Sequence, residues 1–215
     1  MSNPTTPASI GPGEFFPVVG VGPHEKPWPE GAQYDPDLLL NGDRRNVLDH
    51  YRYWTVEAIV ADLDSKRHKL QIAIENWQHD LNIGSIVRTA NAFNVSGVHI
   101  VGKRDWNKRG AMVTDRYLTV HHHPTVEDFA VWCKENELPI IGIDNVPGSK
   151  QLESAQLPEK CVLLFGQEGA GMSDEGIAVC EVLYEINQYG STRSMNASAA
   201  GAIAMYHWAL QHLPR

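Results

Sequence analysis

The sequence predicts an α/β protein with a mainly parallel sheet. Three observations carry that reading: short apolar runs rich in β-branched residues, longer helix-like stretches between them, and polar, glycine-bearing segments at the ends of the runs. Strands buried on both faces read as unbroken apolar runs, whereas a half-exposed sheet would alternate. From Lys69 onward five such runs occur, at residues 71–74, 98–101, 139–143, 161–165 and 182–186. Their lengths suit strands.

Taken in chain order, residues 1–36 hold eight of the 13 prolines, many glycines and no apolar periodicity, and read as an extended arm. Phe15, Phe16, Trp28 and Tyr34 within it are unusual for a fully solvated linker and imply that part of the arm lies against folded protein. Residues 37–60 read as helical, so 37–68 form a helical N-terminal extension and 69–215 the main domain. After the first run, residues 82–94 carry an apolar stripe of Ile83, Ile86, Val87, Ala90 and Phe93, with Arg88 on the opposite face. The last helix, capped by Asn196 or Ser198, is apolar around most of its circumference from Ala199 to Leu210. Core burial accounts for such a helix, and so does a subunit interface.

Composition narrows the class. With 42% hydrophobic and 20% charged residues in a chain of 215, a wholly disordered or fibrous protein is excluded. No run of about 18 apolar residues and no basic-then-apolar leader is visible, which predicts a cytoplasmic protein without a membrane partner. Cys133, Cys161 and Cys180 are odd in number and scattered, so neither a disulfide framework nor a metal site is expected. His121, His122 and His123 are consecutive, cannot all face one metal from a strand, and read as a surface run. The formal charge of -8 argues against broad attachment to nucleic acid. That charge is segregated, however: residues 103–116 hold Lys103, Arg104, Lys108, Arg109 and Arg116, and residues 153–185 are acidic. The basic segment reads either as a phosphate-binding patch or as a solvated loop.

In a parallel α/β sheet, ligands sit at the carboxyl ends of strands. Three segments occupy such places. In the first, Asn82 reads as an N-cap, Gly84 permits close backbone approach, and Arg88 either grips a phosphate or simply faces solvent. In the second, Gly166, Gly169 and Gly171 follow a strand with Glu168 among them, in an order that is not the dinucleotide fingerprint. In the third, residues 187–196 form a polar loop before the last helix. No nucleophile elbow, phosphate-binding P-loop or H-E-x-x-H occurs, which removes most support for a hydrolase.

Together the three segments resemble the motifs of the SpoU (TrmH-like) branch of the SPOUT methyltransferases, over residues 69–213. The resemblance falls on Asn82, Gly84 and Arg88; on Gly166, Glu168 and Gly169; and on Ile186, Gly190, Ser194, Met195, Asn196 and Ser198. Asn187 stands where the family usually has proline, Met195 where it often has leucine, and Asn94 where glycine is common. What the resemblance implies is a SPOUT-type fold with a C-terminal trefoil knot, a homodimer, and methyl transfer from S-adenosylmethionine to a ribose 2'-hydroxyl of tRNA or rRNA. By the same resemblance, Arg88, Asn82, Glu168, Ser194 and Asn196 form the catalytic set, and Gly166, Ile186, Met195, Gln188 and Asn145 hold the cofactor. Lys103, Arg104, Lys108, Arg109 and Arg116 would then contact RNA. A noncatalytic RNA-binding or assembly protein on the same fold, and a base methyltransferase, are the rival readings.

Overall fold

The structure, a computed structural model, describes residues 20–78 and 82–214. These pack as two units divided between Ile59 and Val60. Residues 1–19 of the expected arm, with Phe15 and Phe16, lie outside the described residues.

Among the described residues of the first unit, helix is confined to α1 (Pro36–Asn41), a 3-10 turn at Asp49–Tyr51 and the start of α2 (Val56–Asp64). The remainder is turns organised by one buried carboxylate, and this interrupts the continuous helix expected over 37–60. Asp43 accepts from the Arg45 side chain at 2.9 and 2.7 Å and from the backbone N–H groups of Arg45 and Tyr53, both at 3.0 Å. Burial pushes its pKa up, but the hydrogen bonds and charge of Arg45, with the N–H groups, outweigh that and hold it at about 2. Trp28 and Tyr34 belong to this unit; Tyr34 bridges the backbone at Trp54.

The second unit is built on a seven-stranded sheet. Its strands are β1 (His68–Asn76), β2 (Val95–Gly102), β3 (Val120–His123), β4 (Ile140–Ile143), β5 (Lys150–Gln151), β6 (Cys161–Phe165) and β7 (Val182–Glu185), in the spatial order β3-β2-β1-β6-β4-β7-β5. Every pairing is parallel. The five expected strands are all present; β3 and β5 are additions at the two edges. Two exposed residues such as Lys150 and Gln151 carry no apolar pattern, and β3 contains the three histidines.

Helices α3 (Asn82–Ala92) and α6 (Ala197–His212) pack against each other, and the core here includes Ile83, Ile86, Val87 and Trp208. Each fully buried Ile or Val contributes about 1.5–3 kcal/mol relative to exposure. Helix α4 (Val126–Glu135) places Phe129 and Cys133 in a separate apolar cluster with Val101 and Leu164, beside the short α5 (Asp174–Ala178). All three cysteines are free, and burial pushes each thiol up to about 12, so none is a nucleophile at neutral pH.

The histidines are not a surface run. His121 and His123 share a face of β3, and His99 on β2 pairs in register with His121. His99 is wholly buried: its Nδ1 lies 2.9 Å from His123 Nε2, its Nε2 lies 2.6 Å from Gln71 Oε1, and its ring stacks on His121 under Trp132. Only His122 faces the other way, with Nε2 2.8 Å from the Gly102 carbonyl. The sequence reading missed this because it depends on the β2–β3 register. Among the described residues no group of three or more His, Cys, Asp or Glu is arranged to hold a metal, and no helix is long and apolar enough to cross a membrane.

Candidate functional site

Three adjacent strands, β6, β4 and β7, end at one place, and their carboxyl-terminal residues Phe165, Ile143 and Glu185 line a cavity of about 380 Å³. The other walls are the loops that follow these strands and the entry to α6. Gly166, Ile186, Met195, Gln188 and Asn145 all line it, as do Glu168, Ser194 and Asn196.

The loop after β6 folds back on itself. Gln167 and Gly171 exchange two backbone hydrogen bonds, each 3.0 Å. A Cβ on Gly166 would lie 2.2 Å from Gly171 C and Met172 N, so glycine is required there by the chain's own return, not by the approach of a ligand. Two residues the sequence reading passed over hold this loop. Asp144 accepts from the N–H groups of Asn145 and Met172, both at 2.7 Å, and so links the β4 and β6 loops. The buried Glu75 accepts from Ser173 N–H at 2.8 Å and Ser173 Oγ at 2.5 Å, anchoring the start of α5. A lone apolar-flanked glutamate at the end of the first run was the available signal.

Asn145 and Gln188 turn out to share a task. Asn145 Nδ2 and Gln188 Nε2 both donate to the Arg193 carbonyl, at 2.5 and 3.2 Å, pinning the loop between β7 and α6. Asn196 caps α6, its Oδ1 accepting from Ser198 N at 3.0 Å and Ala199 N at 3.3 Å. Its Nδ2 donates to Asn82 Oδ1 at 2.8 Å and lies 3.4 Å from Glu168 Oε2, while Asn82 Nδ2 donates to the Glu168 carboxylate. Asn82, Glu168 and Asn196 therefore form one hydrogen-bonded cluster at the cavity's edge. Asn82 is the first residue of α3 and buried, and its side chain serves this cluster.

Arg88 lies six residues further along α3, about 9 Å along the axis. It is exposed, outside the cavity wall, and without a hydrogen-bond or ion-pair partner among the described residues. Glu168 thus contacts the two asparagines and does not orient Arg88 in this structure.

Lys103, Arg104, Lys108, Arg109 and Arg116 are all exposed on the long segment after β2. Asn76 Nδ2 fixes its start through the Lys103 and Asp105 carbonyls at 2.7 and 2.9 Å. Further on, a Cβ on Gly84 would meet Ala111 N at 2.7 Å and Gly110 N at 2.8 Å, so the basic segment lies directly on the first turn of α3. Lys108 is partly spent within the segment, its Nζ 3.0 Å from Asp115 Oδ2.

Residues 69–206 match the model of the SpoU rRNA Methylase family. The chain belongs to this family. A tRNA (guanosine(18)-2'-O)-methyltransferase of Borreliella burgdorferi is 25% identical over 147 residues, covering 67% of each chain. A protein of the same name from Saccharomyces cerevisiae is also 25% identical, over 72% of this SpoU chain but 12% of the yeast protein's length. The fold matches that of the SpoU methyltransferase AviRb from Streptomyces viridochromogenes, determined in complex with AdoMet, with a TM-score of 0.62 and 23% identity over 68% of this chain and 59% of that one.

Proposed function

We propose that the protein transfers the methyl group of S-adenosylmethionine to a ribose 2'-hydroxyl of tRNA or rRNA, with residues 69–215 as the methyltransferase domain and residues 1–68 as its N-terminal extension. The observation that carries this reading is the cavity at the ends of β4, β6 and β7 with the Asn82–Glu168–Asn196 cluster on its edge. Its volume falls in the range of small-molecule sites, roughly 300–1,000 Å³. Apolar Ile143, Phe165, Ile186 and Met195 suit the faces of an adenosine, and Asp144, Glu168 and Glu185 in the same wall complement a cationic sulfonium and amino group.

When bound, S-adenosylmethionine supplies an already activated methyl group. The chain's own task is to hold and align a ribose oxygen and to manage its proton. Arg88, with its fork of N–H donors, positions a phosphate and stabilises developing alkoxide charge. Asn82, Glu168 and Asn196 form a preorganised polar edge beside the point where that oxygen meets the cavity, with Ser194 in the same wall. Phosphates flanking the target nucleotide meet Lys103, Arg104, Arg109 and Arg116, with Lys108 contributing less.

The knotted C-terminus and the homodimer belong to the same proposal. Supporting the dimer is α6, which buries Ala204, Met205 and Trp208 yet leaves Ile203, Tyr206 and Leu210 exposed. Transfer of tritium from labelled cofactor to separated tRNA and rRNA, followed by nucleoside analysis, tests the reading. A 2'-O-methylnucleoside is the expected product; a base-methylated product moves the chemistry to the base, and cofactor-independent RNA binding without transfer leaves a noncatalytic RNA-binding protein.

A further inference from the structure

The loop between β7 and α6 carries a side chain that the cavity does not use. Tyr189 is 91% exposed, against 65% for Leu48, the next most exposed large apolar side chain among the described residues. A tyrosine in full solvent leaves its whole ring face without a partner. Its position is nonetheless held. Asn187 N–H donates to Glu153 Oε1 at 3.1 Å two residues before it, and Gln188 Nε2 and Asn145 Nδ2 fix the Arg193 carbonyl after it. Residues 189–192 therefore project as a short loop pinned at both ends, with Tyr189 next to the cavity-lining Gln188 and the exposed Arg193 close behind in sequence.

We infer that Tyr189 is a stacking platform for an unpaired nucleobase of the RNA next to the target ribose, which rests on the methyltransferase reading and narrows its substrate to RNA whose acceptor region is single-stranded. The chemistry favours this occupant. A flat, rigid ring on an anchored loop loses little conformational freedom when a base stacks on it, and every base presents a π face. Arg193 adds a cation for the adjoining phosphate, and the site lies beside a cavity whose ligand must meet a nucleotide. A base inside a duplex offers no free face to the ring, so the platform selects loops and extruded nucleotides.

The test is binding of short single-stranded oligoadenylate, oligouridylate and a duplex of equal length to the full chain and to Tyr189→Ala and Tyr189→Phe, read by fluorescence anisotropy. Tyr189→Ala is expected to weaken oligoadenylate binding roughly 10-fold or more, with a smaller loss for oligouridylate, while Tyr189→Phe stays near wild type and duplex binding does not change. Equal affinities for wild type and Tyr189→Ala, or an equal loss for duplex and single strand, would overturn the inference. So would a change in sedimentation of Tyr189→Ala, which would assign the ring to a contact between copies. Cofactor binding by calorimetry and methyl transfer are measured separately. A wild-type protein that does neither removes the methyltransferase reading, while the anisotropy result still decides the platform.

Discussion

Asn196 Nδ2 donates to Asn82 Oδ1 at 2.8 Å across 114 residues of sequence, joining the first turn of α3 to the cap of α6. One amide thus has two duties: its oxygen caps a helix and its nitrogen holds the polar edge of the cavity. The two are separable. Asn196→Asp retains the accepting oxygen, loses the donor and sets a second carboxylate against Glu168. Because the cap survives, thermal stability should fall less than in Asn196→Ala, where a lost cap costs about 1 kcal/mol, while methyl transfer is lost. Asn196→Ala should lose both. Retained transfer in Asn196→Asp would remove the cluster from the chemistry.

Arg88 makes the complementary case, because no hydrogen bond or ion pair from the described residues holds it. Arg88→Ala should leave the melting temperature and cofactor affinity unchanged and lower turnover on RNA by on the order of 100-fold or more, as expected for loss of one charge-stabilising donor. Near-wild-type turnover would end its assignment.

Gly166 separates backbone requirement from ligand contact. Gly166→Ala puts a Cβ 2.2 Å from two backbone atoms, so the loop after β6 must open, at a cost of about 1–3 kcal/mol. Cofactor binding should disappear together with that stability. Gly169→Ala meets nothing within 4 Å and strains only its own backbone at φ +87°, so it should bind cofactor far better than Gly166→Ala. Calorimetry on the two variants checks the contrast.

The histidine cluster predicts an acid limit. Burial, then the neighbouring charges of His121 and His123, lowers the pKa of His99 to about 2. Burial also lowers His121 and His123, though Asp128 raises His123 somewhat. Below pH 6.5 the unfolded chain takes up a proton on His99 that the folded chain refuses, so stability present above 6.5 is lost as pH falls towards 2. The slope attributable to His99 approaches about 1.4 kcal/mol per pH unit. His99→Gln should therefore be less stable at pH 8 yet show a shallower loss between pH 6 and 4. Parallel melting curves for the two proteins would rule the cluster out as the cause.

How much of this was legible follows from what each feature depends on. The strand at residues 161–165, the stripe on α3 and the Asn196 cap are local patterns, and periodicity or capping chemistry is enough to read them. The pairing of Asn82 with Glu168 and Asn196 was legible only through resemblance, since no local rule relates positions so far apart. Asp144 and Glu75 were missed because their importance lies in backbone N–H groups of a distant loop, which any residue type can supply. The burial of His99 needed the register His99 opposite His121, and a shift of one residue would have turned the same histidines outwards.

The basic segment after β2 carries the last prediction, and the structure ranks its charges. Arg104 and Arg109 are exposed, and the first turn of α3, which bears Arg88 further along, lies against Gly110 and Ala111. Lys108 is held by Asp115 and contributes less to the field an RNA phosphate meets. Removing one phosphate-binding cation should reduce the slope of log K against log salt by about 0.7–0.9. Arg104→Ala combined with Arg109→Ala should therefore flatten the salt dependence of RNA binding by up to about two such steps, and Lys108→Ala by clearly less than one. Cofactor affinity should not change in either variant. A double arginine variant with an unchanged slope would show that RNA lies elsewhere, and a Lys108→Ala slope change as large as that of one arginine would show that the Asp115 pair opens when RNA binds.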